Sequence, residues 1–191
     1  MLNAKKFYYY LSKFNNESGN YFVKNKKNIA RPYRIVPIYN NIDTNIVCFV
    51  ILPMVWNNKL ETNSKRLVIK DTNLSLTKIN SINKQIYEQF TIVNIDGQKV
   101  PPHSQKFFLS RTELDNQQYK FDSIKEILNQ LNINREEYES QGLFVLRATL
   151  MNPWYYDSAK LDAMGRKTDY FQEFFKELNK VAIGVINKTS F

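Results

Sequence analysis

The 191-residue chain has the length of about one domain, and its 43% hydrophobic and 14% aromatic residues exclude a disordered protein. Its formal charge of +9 is compatible with a nucleic-acid partner, although most of the lysines are scattered and also suit an ordinary surface. The single cysteine, Cys48, excludes a disulfide framework and favours the cytoplasm, and no apolar run is long enough to span a membrane.

The first half of the chain predicts one helix, two strands and a second helix. Residues 3–14 place aromatic and leucine side chains on one helical face, and the polar residues 15–32 predict a loop. Residues 33–39 and 44–53 are rich in β-branched and aromatic residues, which is typical of strands. The second of these segments is apolar on both faces, so we expect an interior strand. Residues 67–70 suit a short edge strand, and isoleucines at helical spacing predict a helix over 74–90.

The second half predicts a strand, two short helices, a strand and a final helix. A loop at 94–105 precedes a strand at 106–114. Ser123 with Glu126 predicts a capping box, and Asn134 with Glu137 repeats this helix-start signal. Residues 143–154 form the next strand, and an apolar stripe predicts a helix over 168–186. Strands and helices without a regular βαβ repeat indicate an α+β fold, with a small, mostly antiparallel sheet and helices packed on one face.

The usual catalytic motifs are missing from the sequence. His103 is the only histidine, it lies in a polar loop, and a surface role explains it best. One histidine and one cysteine nearly exclude a zinc site, and the chain has neither a dinucleotide-binding nor a phosphate-binding glycine motif. Taken from its residues alone, the chain therefore predicts no catalytic, cofactor-binding or metal-binding residues.

Several segments, in order, resemble the C-terminal domain of group II pyridoxal-phosphate (PLP) dependent amino-acid decarboxylases, which include tyrosine and glutamate decarboxylases. The similar segments are "DTNIVCFVILP", "INSINKQIYEQF", "FFLSRTEL" and "LNINREEYESQGLFVLRATLMNPWYY", and the similarity covers roughly residues 33–186. The lead-in "LNINREEYESQG" favours the bacterial tyrosine decarboxylase branch. The resemblance implies the small C-terminal domain of fold-type I PLP enzymes at 33–191. Residues 1–32 would then be the end of an interdomain helix followed by a basic loop.

The resemblance implies a role for Arg147, which lies in the apolar strand five positions before Asn152. In glutamate-decarboxylase-like members the arginine of this strand binds the substrate's α-carboxylate, and a planar guanidinium suits that ligand. Thr149 follows on the same strand face and is the second predicted substrate-binding residue. A structural ion pair with Glu113, Asp157 or another acid is the alternative for Arg147, and filling a strand position is the alternative for Thr149.

The resemblance also implies that PLP and its Schiff-base lysine belong to a large domain, because the family's His-Lys dipeptide does not occur in this sequence. We therefore expect a separately encoded or truncated C-terminal domain of a decarboxylase, a lyase of amino-acid metabolism, that is inactive alone. Its expected partner is a PLP-binding domain or chain, the complete enzyme being a homodimer.

Two further hypotheses stay open. In the first, the fold is a non-enzymatic binding or assembly module whose basic segment, residues 24–34, contacts nucleic acid or another protein. Such binding would weaken steeply with salt, and we expect no nucleic-acid partner. In the second, the similarity is accidental and the chain is a viral or ribosomal assembly protein.

Overall fold

The computed structural model describes residues 2–24, 31–39, 45–56, 69–71, 74–91, 106–150, 160–161 and 167–189. The helices of this part are α1 (Leu2–Lys24), α2 (Leu76–Glu88), α3 (Phe121–Gln130), α4 (Arg135–Gln141) and α5 (Tyr170–Lys188). None of these helices is long and apolar enough to cross a membrane.

The strands form one antiparallel sheet and a separate short hairpin. They are β1 (Tyr33–Pro37), β2 (Ile46–Trp56), β3 (Ile69–Asp71), β4 (Ser110–Leu114), β5 (Leu143–Thr149), β6 (Lys160–Leu161) and β7 (Lys167–Thr168). The order in the sheet is β1-β2-β5-β4, β3 pairs with the end of β2, and β6 pairs with β7. The predicted α+β class is confirmed, and the apolar segment 44–53 indeed supplies an interior strand.

One face of the sheet, here called the first face, packs on α1, α2 and α5. Phe49 of β2 and Phe144 of β5 belong to a buried cluster with Phe7 of α1 and Phe174 of α5. Rings of this cluster lie close together, with centroids 6.1 Å apart for Phe7 and Phe49 and 5.5 Å apart for Phe7 and Phe174. The aromatic stripes of the first and last predicted helices therefore meet over the sheet.

The opposite face, here called the second face, is partly covered by α3 and α4. The prediction placed helices on one face only. Val145 of β5 packs in a second buried cluster with Leu128 of α3 and Tyr138 of α4. Residues alternate between faces along a strand, so Arg147 and Thr149 follow Val145 on the second face. Arg147 is half-buried and Thr149 is exposed. The second face thus has a packed end at α3 and α4 and a more open end at Arg147.

Helix α1 is longer than predicted, because it continues through the polar residues 15–24 that were predicted to form a loop. One cause is visible at Asn15, whose side-chain amide pairs with the backbone of the edge strand β1. It donates to the Ile35 carbonyl at 2.8 Å and accepts from the Ile35 N–H at 3.1 Å. A residue that favours turns locally is thus held in a helix by a tertiary contact.

The start of α3 also differs from the prediction. The helix begins at Phe121, Ser123 lies inside its first turn, and no side chain caps it. Before it, the Asp115 carboxylate accepts hydrogen bonds from the N–H groups of Gln117 at 2.8 Å and Gln118 at 3.0 Å. This turn brings the chain into the helix before Ser123, so the capping-box prediction was wrong. The second signal was right: the Asn134 side chain accepts from the Glu137 N–H at 2.8 Å and caps α4.

Helix α2 completes the hydrogen bonds of the sheet where β2 and β5 stop pairing. Their ladder ends at Phe49 and Leu146. Beyond it, Asn83 accepts from the Ile51 N–H at 2.8 Å and donates to the Ile51 carbonyl at 3.0 Å. Asn80 accepts from the Phe144 N–H at 2.9 Å and donates to the Gly142 carbonyl at 2.9 Å. Both amides are buried, so they satisfy strand groups that would otherwise be costly to bury.

Candidate functional site

Arg147 lies near the C-terminal end of β5, between β2 and β4. In the ladders it is opposite Cys48 of β2 and Ser110 of β4. For an isolated C-terminal domain, whose ligand pocket is half missing, the prediction is that the guanidinium lies at a solvent-open edge of the sheet. The structure corrects this point, because β5 is an interior strand. The partial exposure of Arg147 arises instead from its place on the second face, past the part that α3 and α4 cover.

The side chain of Arg147 lines a shallow hollow of about 180 Å³ on the second face. Other parts of the wall come from Tyr39, Ile46, Cys48 and Tyr119. Tyr39 is 54% exposed and Ile46 is 42% exposed. We call this feature the Arg147 hollow. It combines one fixed cation with aromatic and aliphatic walls, an arrangement that can bind a carboxylate attached to an apolar group.

Hydrogen bonds to Ser110 hold the arginine in place. The Arg147 Nε–H donates to Ser110 Oγ at 2.8 Å, and the same hydroxyl donates to the Arg147 carbonyl at 3.1 Å. No ion pair joins Arg147 to a carboxylate of the described residues. Glu113 lies on the other face, with a carboxylate oxygen 4.0 Å from Arg111 Nη1. Asp157 lies outside the described residues.

The charge of Arg147 affects the pKa of the neighbouring Cys48 thiol. Burial raises the pKa of the Cys48 thiol, and the nearby guanidinium of Arg147 acts in the opposite direction by stabilising the thiolate. Burial is the larger effect, so the pKa of the Cys48 thiol lies above its usual value. The neutral thiol therefore adds an apolar wall to the Arg147 hollow rather than a second charge.

The other residues singled out from the sequence lie apart from this hollow. Thr149 shares the second face with Arg147 but borders a larger cavity of about 570 Å³ lined mainly by aromatic side chains. His103 lies outside the described residues. Of the basic segment 24–34, the structure describes the side chains of Arg31 and Arg34. Arg34 Nη2 donates to the Gln130 carbonyl at 2.8 Å at the end of α3, where helix carbonyls carry partial negative charge.

The Arg147 hollow does not fit PLP. That cofactor needs a lysine amine for its Schiff base and donors for its phosphate group, and among the described residues the hollow is lined by one cation and no lysine. The described residues also hold no group of three or more His, Cys, Asp or Glu side chains suited to a metal ion. The described residues of the hollow can therefore bind and orient an anion.

Ser110, Tyr39 and Tyr119 were missed at the level of sequence. Ser110 was part of a predicted strand, but its contact with Arg147 depends on the register of two strands that lie 37 positions apart. Tyr119 is brought to the hollow by the turn before α3, where its carbonyl accepts a hydrogen bond from the Tyr138 hydroxyl. No local pattern marks these residues.

Comparison with known protein families identifies the family of this chain. A family model described as tyrosine decarboxylase, C-terminal, matches residues 58–181, which is more than half of the chain. The matched range contains α2, β4, α3, α4 and β5 with Arg147, whereas α1, β1 and β2 precede it. A search of curated proteins found no match.

Proposed function

This chain belongs to the tyrosine decarboxylase C-terminal family, and on that premise we propose that it completes the substrate site of a PLP-dependent amino-acid decarboxylase. Its contribution is Arg147, which binds the α-carboxylate of the amino acid. Thr149, two residues further along the same strand face, is the second residue proposed to bind the substrate, and it borders the neighbouring larger cavity rather than the Arg147 hollow. The reaction assigned to the complete enzyme is carboxy-lyase chemistry that releases the bound carboxylate as carbon dioxide.

The observation that carries this proposal is the state of Arg147. Its guanidinium is half-buried, anchored through Nε, and has no carboxylate partner among the described residues. A buried, unpaired cation costs several kcal/mol, so a structural arginine in a sheet is expected to have an acidic partner. Partial exposure removes most of that cost and leaves the cation accessible. These features support a ligand-binding role over the structural ion pair.

The cofactor is proposed to belong to another domain. The residues around Arg147 do not fit PLP, and we derive no step through it from this chain. A PLP-binding domain, encoded with this chain or separately, is the proposed partner, and the complete enzyme is proposed to be a cytoplasmic homodimer. Residues 1–32, which include α1, are proposed to be the end of the helix that leads to that domain, and residues 33–191 the small domain itself.

A nucleic-acid role has less support. Arg34, one of the two described arginines of the basic segment, uses a guanidinium nitrogen to hold the end of α3. That contact gives it a structural task. No feature of the described residues favours the binding-module hypothesis over the enzyme-domain hypothesis.

The test combines the chain with the PLP-binding domain of a tyrosine-decarboxylase-like enzyme and measures carbon dioxide release from L-tyrosine. Arg147→Gln removes one charge-assisted interaction worth about 1.5–3 kcal/mol, so kcat/KM should fall by roughly 10- to 100-fold. The loss should appear mainly in KM. Arg111→Gln is the matched control, because Arg111 lies on the adjacent strand but on the first face.

Two results would contradict this function. In one, the chain fails to raise the activity of the PLP-binding domain. In the other, Arg147→Gln lowers the melting temperature while KM stays at the wild-type value, which is the behaviour of a structural arginine.

A further inference from the structure

The Ser110 hydroxyl makes two hydrogen bonds to the same residue. It accepts the Arg147 Nε–H at 2.8 Å and donates its own hydrogen to the Arg147 carbonyl at 3.1 Å. A serine hydroxyl has one hydrogen to donate, so donation to the carbonyl turns its lone pairs toward other donors such as Nε. The two bonds are compatible and together fix both the hydroxyl and the guanidinium.

This contact decides which edge of the guanidinium can meet a ligand. A guanidinium can bind a carboxylate bidentately through Nε with one Nη, or through both Nη atoms. The first edge is occupied, because Nε already donates to Ser110. No described residue accepts a hydrogen bond from Nη1 or Nη2 of Arg147. The edge formed by the two Nη atoms is therefore the one left for a carboxylate.

We propose that Ser110 is a positioning residue that holds Arg147 through Nε, so that its two Nη atoms form the carboxylate-binding edge of the Arg147 hollow. The inference rests on the proposed function of Arg147 and adds to it the residue that orients the cation and the geometry in which the carboxylate binds. An arginine side chain has many rotamers and loses conformational entropy when it binds a ligand. Anchoring it before the substrate arrives reduces that cost.

Serine suits this task because of the strand register. Ser110 and Arg147 are direct cross-strand partners on the same face, which brings the short hydroxyl beside the guanidinium stem. Threonine keeps a hydroxyl on the same carbon and tolerates a strand, whereas alanine has no group that could accept from Nε. Comparison of Ser110→Thr with Ser110→Ala therefore distinguishes the effect of the hydroxyl from that of the rest of the side chain.

The experiment observes the arginine Nε–H signals of the ¹⁵N-labelled 191-residue chain by NMR, at a protein concentration at which sedimentation velocity shows the monomer, and titrates 3-(4-hydroxyphenyl)propionate, a carboxylate without an amine. The Arg147 signal is assigned by its loss in Arg147→Gln. We expect slow exchange of this Nε–H with water in the wild type and in Ser110→Thr, and faster exchange in Ser110→Ala. Ser140→Ala, which removes an exposed hydroxyl from α4, should leave the signal unchanged. Added carboxylate should shift the Nη resonances of Arg147 more than the Nε resonance.

The kinetic counterpart uses the chain with its PLP-binding partner. Ser110→Ala should raise KM by roughly three- to tenfold with little change in kcat, as expected for about 1 kcal/mol of lost binding, and Ser110→Thr should restore it. Circular dichroism melting of each variant shows whether the fold is kept.

The outcomes separate this inference from the proposed function. Equal exchange of the Arg147 Nε–H in the wild type and in Ser110→Ala overturns the role of Ser110. So does a carboxylate response carried by Nε. A third outcome is slow exchange of the Nε–H in the wild type and Ser110→Thr but not in Ser110→Ala, with no chemical-shift response to the carboxylate. It supports the anchoring by Ser110 and overturns the substrate role of Arg147.

Discussion

Cys48 and Arg147 are cross-strand partners on the second face, and this pair makes the charge of the arginine measurable. The sequence has a single cysteine, so its reactivity can be followed without interference from other thiols. Burial raises the pKa of Cys48, while Arg147 lowers it in part. The thiolate is the reactive form, so the rate of alkylation reports the balance of these two effects.

We expect Arg147→Gln to slow the alkylation of Cys48 by iodoacetamide severalfold near pH 8.5. Removing the guanidinium takes away the interaction that favours the thiolate, so the pKa rises further and the reactive fraction falls at any pH below it. The measurement is the pH–rate profile of the folded chain, which should shift to higher pH. Arg111→Gln should leave the profile in place. An unchanged profile in Arg147→Gln would show that the cation does not act on Cys48.

At the scale of elements, asparagine side chains of two helices act as substitutes for missing strand neighbours. Asn15 of α1 pairs with the backbone of Ile35, and Asn83 of α2 pairs with that of Ile51. Ile35 and Ile51 are themselves opposite each other in β1 and β2. A carboxamide has one acceptor and one donor group in the arrangement of a peptide bond, so it can replace a strand at an open ladder. These contacts fix both helices against the sheet.

Asn83 is the most informative position for testing this arrangement. It is fully buried and also donates to the Ile79 carbonyl at 2.9 Å. Asn83→Ala leaves the buried N–H and carbonyl of Ile51 without partners, which should lower the free energy of unfolding by about 2–4 kcal/mol. Urea denaturation of the chain measures this loss. Gln85→Ala, two residues further on α2, should change stability by less than about 0.5 kcal/mol. A similarly small effect of Asn83→Ala would refute the role assigned to its amide.

For the whole molecule, the open end of the second face is the surface that we expect to contact the proposed PLP-binding domain. Tyr39 and Ile46 are exposed there beside the half-buried Arg147. Tyr8 of α1 adjoins this region, because its hydroxyl donates to the Tyr39 carbonyl. Apolar side chains that surround a fixed cation are expected to be covered in an assembled enzyme. Alone, the chain should bury this surface by contact with other copies of itself.

We therefore predict that the isolated chain self-associates at micromolar concentrations and that Ile46→Lys weakens this association. A charge at the centre of the exposed surface opposes its burial and adds repulsion between copies that already carry a net charge of +9. Sedimentation velocity over a range of concentrations measures the effect. Ser81→Lys, at an exposed position of α2, adds the same charge away from the surface and should leave the association unchanged. A wild-type chain that stays monomeric throughout would contradict the prediction.

Local patterns in the sequence determine much of this protein's secondary structure. The apolar stripe of residues 168–186 determined α5, and Asn134 with Glu137 determined the start of α4, because helical periodicity and capping bonds involve residues a few positions apart. The position of Arg147 within an apolar strand could likewise be identified from the sequence.

Contacts between residues distant along the chain were decided only by the tertiary structure. The Ser110–Arg147 contact spans 37 positions and depends on the register of the assembled sheet, and the pairing of Asn15 with Ile35 kept α1 helical where its polar sequence favoured a loop. Such contacts form only when remote segments are packed together, so no local pattern encodes them.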